Sequence, residues 1–159
     1  IEPRKNHALL LDSWSELATE VVNEEMPDLY VVGARGWKNA DVFARLDAGP
    51  PHVHELGPLS DGAVAALVEG ARALLMPSLV EGFGLPPGEA CALGCPVIAS
   101  DLPVYREVFG NNLVYLDPHD MYPWATEIKH FARSEREAQA GPKPLPDWED
   151  HFNLVLQCL

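Results

Sequence analysis

The sequence predicts an α/β fold in which a parallel β-sheet is covered by helices on both faces. Short apolar segments alternate along the chain with longer amphipathic ones, an order that favours parallel strands joined by crossover helices. Glycine-containing turns follow several of the predicted strands. Because the strands of such a sheet end at one common edge, and ligands bind there, we expect a ligand site formed by these turns.

The first part of the chain predicts a helix between strands. Ile1 is expected to end a first strand, and Asn6 is a suitable N-cap for the helix that follows. Residues 28–32 and 52–57 have the apolar or alternating pattern of strands, and 38–51 of a helix and a loop. Apolar residues at three- and four-residue spacing make the first helix amphipathic: Leu10, Trp14, Leu17 and Val21.

The second part predicts three more strands. Residues 73–76, 96–99 and 113–116 are short apolar segments, with a short helix expected at 104–109. Residues 121–140 are expected to form the last long helix, before a proline-rich segment and a final short helix at 148–156. Ser60 or Asp61 would cap a helix before the strand at 73–76, with an inward face formed by Val64, Leu67, Val68 and Ala71.

The richest chemical pattern is the stretch 77–89, PSLVEGFGLPPGE, in which Glu81 and Glu89 flank a glycine loop. Gly82 and Gly84 permit positive φ and a close approach of backbone to a ligand, and the following Pro-Pro pair suits the first turn of a helix. A helix N-terminus receives phosphate, whereas carboxylates accept hydrogen bonds from hydroxyls. The pattern predicts a ligand with phosphate between two hydroxyl-bearing ends, such as a nucleotide sugar.

Two cations stand on another predicted strand-to-helix turn, at Arg4 and Lys5, where a phosphate group is also favoured. Several structural alternatives remain open. The cations could be solvated loop charges, the glycine loop only a tight turn, and Glu89 only a complement to the helix dipole. His52 and His54 would lie on one face of a strand; we interpret them as surface residues, because a zinc site needs further ligands.

The runs 77–90 and 94–101 resemble the donor-binding signature of retaining glycosyltransferases of the GT-B architecture (family 4), PS-x-x-EGFGLP-x-x-EA followed by G-x-PV-x-x-SD. The similarity covers the chain to about residue 131, and Gly88 replaces a usually larger residue. It implies a Rossmann-like three-layer α/β/α fold, one half of a GT-B architecture. The implied organisation is a nucleotide-sugar-binding domain at 1–140, a crossing segment with a C-terminal helix at 141–159, and an acceptor domain outside this chain.

The resemblance also implies residue roles. Lys5, with Arg4, would contact the donor diphosphate, Glu81 the sugar hydroxyls and Glu89 the ribose diol. Lys5 and Glu81 would form the catalytic pair, and the backbone at Gly57 would lie near the base. The loop that cradles phosphate and sugar would consist of Gly82, Phe83, Gly84 and Leu85. Retention of anomeric configuration is implied as well.

The opening PRKN and the Gly36-Trp37 turn resemble mannosyl- and rhamnosyltransferases of bacterial surface-polysaccharide assembly. This implies a hexosyltransferase that moves a mannose-like sugar from a GDP-sugar to a glycan or lipid-linked acceptor, with the present chain inactive alone. Three alternatives are kept: a UDP-sugar-dependent enzyme of the same family, a related epimerase or phosphorylase, and a non-catalytic nucleotide-sugar-binding or interaction module.

Composition limits the partners. The 159 residues carry a net charge of −13, which disfavours nucleic acid and anionic membrane surfaces. No apolar run is long enough to span a bilayer, and three cysteines give no disulfide framework. We expect a cytoplasmic protein, with peripheral attachment at the inner membrane through the absent domain as an option. The chain contains no Asp-x-Asp, so neither a metal ion nor another cofactor is expected beside the donor.

Overall fold

The structure is a computed structural model that describes residues 1–22 and 25–134. Within these residues, helices and strands alternate as the sequence predicted. A 3₁₀ turn at Pro3–Lys5 precedes α1 (His7–Glu20), β1 (Leu29–Val32), α2 (Ala40–Asp47), β2 (Val53–Gly57), α3 (Asp61–Gly70), β3 (Leu74–Met76), α4 (Leu85–Ala92), β4 (Val97–Ser100), α5 (Pro103–Phe109), β5 (Val114–Leu116) and α6 (Met121–Arg133). The expected continuation of the last helix, the proline-rich segment and the final helix lie outside the described residues.

The strands form two parallel sheets. β1 pairs with β2, so that Leu29 lies opposite Val53, and β4 lies between β3 and β5 in the second sheet. The expectation of parallel strands is confirmed, whereas the expectation of one sheet is wrong for the described residues. The physical reason is that β1 and β3 do not hydrogen-bond to each other, because a cavity separates their facing edges.

One hydrophobic core lies between α1, α6 and the strands. Leu10, Trp14 and Leu17 of α1 are buried against Trp124 and Ile128 of α6, so the predicted apolar face of the first helix is confirmed. Burial of such side chains contributes roughly 1.5–3 kcal/mol each. Two ion pairs border this contact on the surface, Lys129 with Glu20 at 2.7 Å and Arg133 with Glu25 at 2.8 Å.

A second core lies under the glycine loop. Tyr105 and Phe109 of α5 pack there with residues of α4 and β4, including Ala90 and Val97. The four residues of β4 are all buried, which fits a central strand covered on both faces. This core therefore supports the turn at 77–84 from below.

Helix α3 packs more loosely than the sequence predicted. Ser60 caps it, since the Ser60 hydroxyl accepts a hydrogen bond from the Ala63 N–H. The expected inward face is only half-buried, because its residues border either the second core or the cavity between the sheets. Val68 and Ala71 contact the second core, and Val64 and Leu67 line that cavity.

Two expectations at the start of the chain are corrected. Asn6 precedes α1 but does not cap it through its side chain, because its backbone is left-handed with φ of 55°. The Asn6 amide instead donates a hydrogen bond to the Pro118 carbonyl at 2.9 Å. Ile1 is buried but is not part of a strand. The Ile1 carbonyl accepts a hydrogen bond from the Gly36 N–H, in the turn after β1.

Within residues 1–22 and 25–134, no helix combines the length and the apolarity that crossing a bilayer requires.

Candidate functional site

The turns at the carboxyl ends of the strands lie side by side. Three backbone hydrogen bonds connect them: from Gly33 N–H to the Gly57 carbonyl (2.9 Å), from Gly36 N–H to the Ile1 carbonyl (3.1 Å), and from Leu79 N–H to the Arg4 carbonyl (2.8 Å). Both sheets therefore contribute to one edge, where ligands of open α/β sheets bind. Gly57 lies at the end of β2 with φ of 68°, on the part of this edge formed by the first sheet.

Glu81 is the centre of a charged cluster at this edge. Its Oε1 accepts hydrogen bonds from Lys5 Nζ at 2.5 Å and from Ser78 Oγ at 2.8 Å, and its Oε2 accepts one from Arg4 at 3.1 Å. Only 9% of the Glu81 side chain is exposed. The fold thus joins Arg4 and Lys5 to a residue more than seventy positions away, and we call these residues with Ser78 the Glu81 cluster.

The cluster keeps its carboxylate ionised. Burial by itself would raise the pKa of Glu81, but hydrogen bonds from Lys5 and Ser78, together with the charges of Lys5 and Arg4, leave the pKa below its ordinary value. A hydrogen bond with Glu2, reinforced by Glu81, raises the pKa of Arg4. The Glu81 carboxylate and the Arg4 guanidinium are therefore both ionised at neutral pH.

Arg4 and Lys5 also retain surface for a ligand. The Arg4 side chain is 44% exposed and that of Lys5 is 26% exposed, although both contact Glu81. Each side chain has several N–H donors, and the contacts with Glu81 and Glu2 use only part of them. An anion at this edge could therefore bind beside the carboxylate without removing it.

Gly84 is the N-cap of helix α4 and has a backbone conformation that favours glycine. Its φ is 97°, and a Cβ at this position would lie 2.6 Å from the Tyr105 ring. Pro86 and Pro87 then occupy the first turn of α4, where the missing N–H groups cost nothing. Gly82 differs from the prediction, since its φ is not positive and nothing lies within 4 Å of its missing Cβ.

The other predicted site residues lie on the exposed side of the loop and helix. Phe83 is 52% exposed and Leu85 is 66% exposed, while Glu89 is exposed in the second turn of α4. Within the described part of the chain, Glu89 forms no ion pair or hydrogen bond with the Glu81 cluster. The structure therefore gathers Arg4, Lys5 and Glu81 together and leaves Glu89 as a separate carboxylate facing solvent.

Two residues of this region were not singled out from the sequence. Ser78 fixes Glu81, and its position three residues before Glu81 in the motif was a signal that could have shown it. Tyr105 lies fully buried beneath Gly84. Burial, and after it the negative charge of Glu81, raises the pKa of Tyr105 to about 12. No local pattern in the sequence links Tyr105 to a loop some twenty residues earlier.

Two histidines contact the carboxylate of Asp28: His52, in the turn before β2, and His54, within β2. His52 Nδ1 lies 3.1 Å and His54 Nε2 lies 3.0 Å from Asp28 Oδ1. The hydrogen bond with His54, and then the one with His52, lower the pKa of Asp28, although burial alone would raise it. His54 also stacks on Tyr30, with ring centroids 5.1 Å apart. Across residues 1–22 and 25–134, no group of three or more His, Cys, Asp or Glu side chains is placed to hold a metal ion.

The turn after β1 carries an exposed aromatic residue and an arginine. Trp37 is 61% exposed, so its side chain does not cap the core. Arg35 instead binds the carboxylates of Glu55 (2.6 Å) and Asp47 (2.7 Å) and lies over the Phe43 ring. The guanidinium is therefore bound by side chains of β2 and α2, and Trp37 remains an exposed aromatic side chain beside the edge.

Comparison with known proteins identifies the family. The model of a family described as "Glycosyl transferases group 1" matches residues 1–141. The chain belongs to the glycosyl transferases group 1 family. This confirms the resemblance carried by residues 77–101. It also places the Glu81 cluster, the glycine loop and α4 in the part of the chain that the family model covers.

Individual relatives and structures agree with this assignment. The O-antigen chain mannosyltransferase RfbU of Salmonella typhimurium is 39% identical over 98 residues, or 62% of this chain and 25% of that protein. O-antigen chain mannosyltransferase B of Escherichia coli is 34% identical over 123 residues, 76% of this chain and 32% of that protein. This chain therefore spans about a quarter to a third of these two relatives.

Solved structures confirm the fold class. The crystal structure of TarM superposes with a TM-score of 0.66 at 19% identity, covering 82% of this chain and 27% of that one. The GtfA/B complex superposes with a TM-score of 0.67 at 20% identity, covering 87% and 29%. The Rossmann-like α/β fold expected for this glycosyltransferase family is therefore present.

Proposed function

We propose that this chain is the nucleotide-sugar-binding half of a retaining glycosyltransferase. The full enzyme transfers a mannose-like hexose from a GDP-sugar to a glycan or lipid-linked acceptor in surface-polysaccharide synthesis. The observation that carries this proposal is the Glu81 cluster, which joins Arg4 and Lys5 to the loop that begins α4. The acceptor would bind a further domain, so the chain alone binds donor without turning it over.

The proposed roles follow from the charges and positions of these residues. Lys5 and Arg4 neutralise the donor diphosphate and stabilise the charge that develops on the leaving nucleotide. The positive end of the α4 dipole acts beside them, whereas Pro86 and Pro87 in its first turn have no N–H to donate. Glu81 holds both cations in place and presents lone pairs to the sugar hydroxyls. Since this arrangement supplies the positive charge, it needs neither a metal ion nor another cofactor.

The choice of donor and setting is supported by the relatives. Two of them are described as O-antigen chain mannosyltransferases, which favours mannose as the sugar and a polysaccharide as the product. The proposed setting is the cytoplasm, with attachment to the inner membrane through another domain as an option. A UDP-sugar donor is the alternative, and a binding experiment with guanosine and uridine ligands distinguishes it from a GDP-sugar donor.

We expect Glu81→Gln to abolish the contribution of the sugar to donor binding. The variant keeps the shape of the side chain but frees Lys5 and Arg4 from a carboxylate, so affinity for bare GDP should be unchanged or higher. Affinity for GDP-mannose should fall by about 1.5–3 kcal/mol, the range for hydrogen bonds to charged groups. Calorimetric titration with both ligands measures the difference. Equal losses for GDP and GDP-mannose would place Glu81 away from the sugar.

We expect Glu89→Ala to weaken GDP and GDP-mannose equally, by about 1.5–3 kcal/mol, because both contain the ribose diol. The free energy of unfolding should change by less than about 0.5 kcal/mol, since the side chain is exposed. Glu69→Ala on α3 is a matched control, another exposed helical glutamate, and should alter neither property. Unchanged nucleotide affinity in Glu89→Ala would show that the ribose assignment is wrong.

A further inference from the structure

One buried hydroxyl in the second core has no hydrogen-bond partner. The Tyr105 side chain has no exposed surface, and among the described residues no group forms a hydrogen bond with its Oη atom. The rest of the residue is well fixed. Its carbonyl accepts a hydrogen bond from the Tyr115 hydroxyl at 3.0 Å, and its ring packs against Phe109 with centroids 6.0 Å apart. A buried polar group without a partner is costly, so native structures rarely leave one unsatisfied.

The Tyr105 hydroxyl lies beside the Glu81 cluster. Burial, and then the negative charge of Glu81, raise the pKa of Tyr105, whereas the hydroxyl of Ser78 lowers that pKa. The same ring lies directly beneath the glycine loop, since a Cβ at Gly84 would be 2.6 Å from its Cε1 atom. Ser78 is therefore close enough to act on the hydroxyl, although the two side chains form no hydrogen bond in the structure.

Ser78 has an unused capacity to accept a hydrogen bond. Its side chain has no exposed surface, and it donates its only proton to Glu81 Oε1 at 2.8 Å. A hydroxyl oxygen has two acceptor lone pairs, and within residues 1–22 and 25–134 no group donates to this one. A buried donor without an acceptor therefore lies next to a buried acceptor without a donor. A small rotation of either side chain would join them.

We propose that Tyr105 is a positioning residue whose hydroxyl donates to Ser78 Oγ, so that a hydrogen-bond network runs from Tyr105 through Ser78 to Glu81. Each hydrogen bond of such a network polarises the next one, so Tyr105 strengthens the bond that Ser78 donates to Glu81. The Tyr105 hydroxyl keeps its proton at neutral pH, because its pKa is raised to about 12. Tyr105 does not touch the donor and acts only through Ser78.

The network gives different tasks to the two oxygens of Glu81. Oε1 is held by both Lys5 and Ser78, whereas the described residues give Oε2 a single contact, with Arg4 at 3.1 Å. Oε1 is therefore fixed, and Oε2 is the oxygen with lone pairs left for a sugar hydroxyl. This assignment rests on the proposed function, in which Glu81 binds the sugar. The hydrogen-bond network does not rest on it and can be tested without ligand.

The first test is an NMR titration of the Glu81 carboxyl carbon in the parent chain and in Tyr105→Phe, both without ligand. We expect the variant to titrate Glu81 at higher pH, because the hydrogen bond from Ser78 to the carboxylate is weakened. Its urea midpoint of unfolding should fall by about 0.5 M, the scale of one lost hydrogen bond. An unchanged Glu81 titration would overturn the proposal. A raised urea midpoint would do the same, because it would show that the hydroxyl has no partner.

The matched control is Tyr115→Phe, which removes another hydroxyl of the same core. That hydroxyl already has acceptors, the carbonyls of Tyr105 and Gly110. The control should lower the urea midpoint and leave the Glu81 titration as in the parent chain. An equal shift of the Glu81 titration in both variants would indicate a general disturbance of the core and contradict a specific network.

Ser78→Ala separates the network from a direct effect of Tyr105 on Glu81. This substitution removes the middle member, so adding Tyr105→Phe to it should move the Glu81 titration no further. A further shift in the double variant would show that Tyr105 acts without Ser78, and would contradict the network.

Calorimetric titration adds the effect on the ligand. We expect Tyr105→Phe to weaken GDP-mannose by about threefold, part of the range for one hydrogen bond, and to leave GDP unchanged, because only the sugar contacts Glu81. Equal weakening of both ligands would contradict the assignment of Oε2 to the sugar. If neither ligand binds the parent chain while the Glu81 titration shifts as expected in Tyr105→Phe, the proposed function fails and the hydrogen-bond network stands.

Discussion

Replacing Gly84 with alanine is expected to destabilise the protein by about 2–4 kcal/mol, the combined scale of overpacking and of an unfavourable backbone conformation. The backbone at Gly84 has φ of 97°, and the added Cβ would lie 2.6 Å from Tyr105 Cε1 and 3.3 Å from Phe109 Cε2. Both rings are buried in the second core, so neither can move aside without disturbing the packing beneath the loop.

The measurement is urea-induced unfolding of the variant and of Gly82→Ala. Gly82 lies two residues away in the same loop, with no positive φ and no atom within 4 Å of its missing Cβ, so its substitution should change the free energy of unfolding by less than about 0.5 kcal/mol. Because the proposed GDP site uses the same loop, the Gly84 variant should also lose affinity for GDP. Equal stability of the two variants would mean that Tyr105 does not support this loop.

Acidification is expected to remove about 3 kcal/mol of stability through His7 alone. Burial first, and then the positive charges of the chain amino group and Lys5, lower the pKa of His7 from 6.5 to about 4. Between about pH 6.5 and pH 4, His7 therefore binds a proton in the unfolded chain but stays neutral in the folded chain. The contribution is fully present above about pH 6.5 and is lost as the pH falls towards 4, at about 1.4 kcal/mol per pH unit.

His7→Gln isolates this effect, because glutamine stays neutral at every pH. Urea unfolding at intervals between pH 7 and pH 4 should show a steep loss of stability in the parent chain and a much shallower one in the variant. Acidic groups with lowered pKa, such as Glu81 and Asp28, act in the same direction but only below about pH 4.5. His119→Gln replaces an exposed histidine and should keep the parent slope. An unchanged slope in His7→Gln would contradict the account of His7.

Local patterns predicted the elements well, because their causes lie within a few residues. The spacing of Leu10, Trp14 and Leu17 was sufficient to predict a helix and its buried face. The all-apolar run that became β4 predicted a strand buried on both sides. Ser60 was one of two possible caps for α3, and the structure selects it because its hydroxyl reaches the Ala63 N–H.

The failures have non-local causes. Nothing beside Asn6 in the sequence shows that its amide reaches Pro118, and nothing beside Gly84 shows that Tyr105 lies beneath it. The division of the sheet depends on how β1 and β3 are placed across the core. The alternation of strands and helices along the chain predicts that the strands are parallel. It does not determine which strands lie next to each other.

For the candidate site, the sequence likewise predicted the residues but not the contacts between them. The sequence motif indicated Glu81, and the cationic turn indicated Lys5. Their 2.5 Å contact forms only because the fold brings residues 4–5 and the turn after β3 to the same edge of the sheets. The role of Ser78 as a donor to Glu81 depends on the conformation of the short turn between them. The sequence therefore indicated which residue types form the site, whereas their hydrogen-bond partners could be assigned only from the fold.

The most direct test of the proposed function is calorimetric titration of the chain with GDP, GDP-mannose, UDP and UDP-glucose. We predict that GDP binds, that GDP-mannose binds more tightly, and that both uridine ligands bind more weakly. Tighter binding of the uridine pair would favour the UDP-sugar alternative. Absence of binding by all four ligands, with the chain shown to be folded by circular dichroism, would contradict the assignment of this edge as a nucleotide-sugar site.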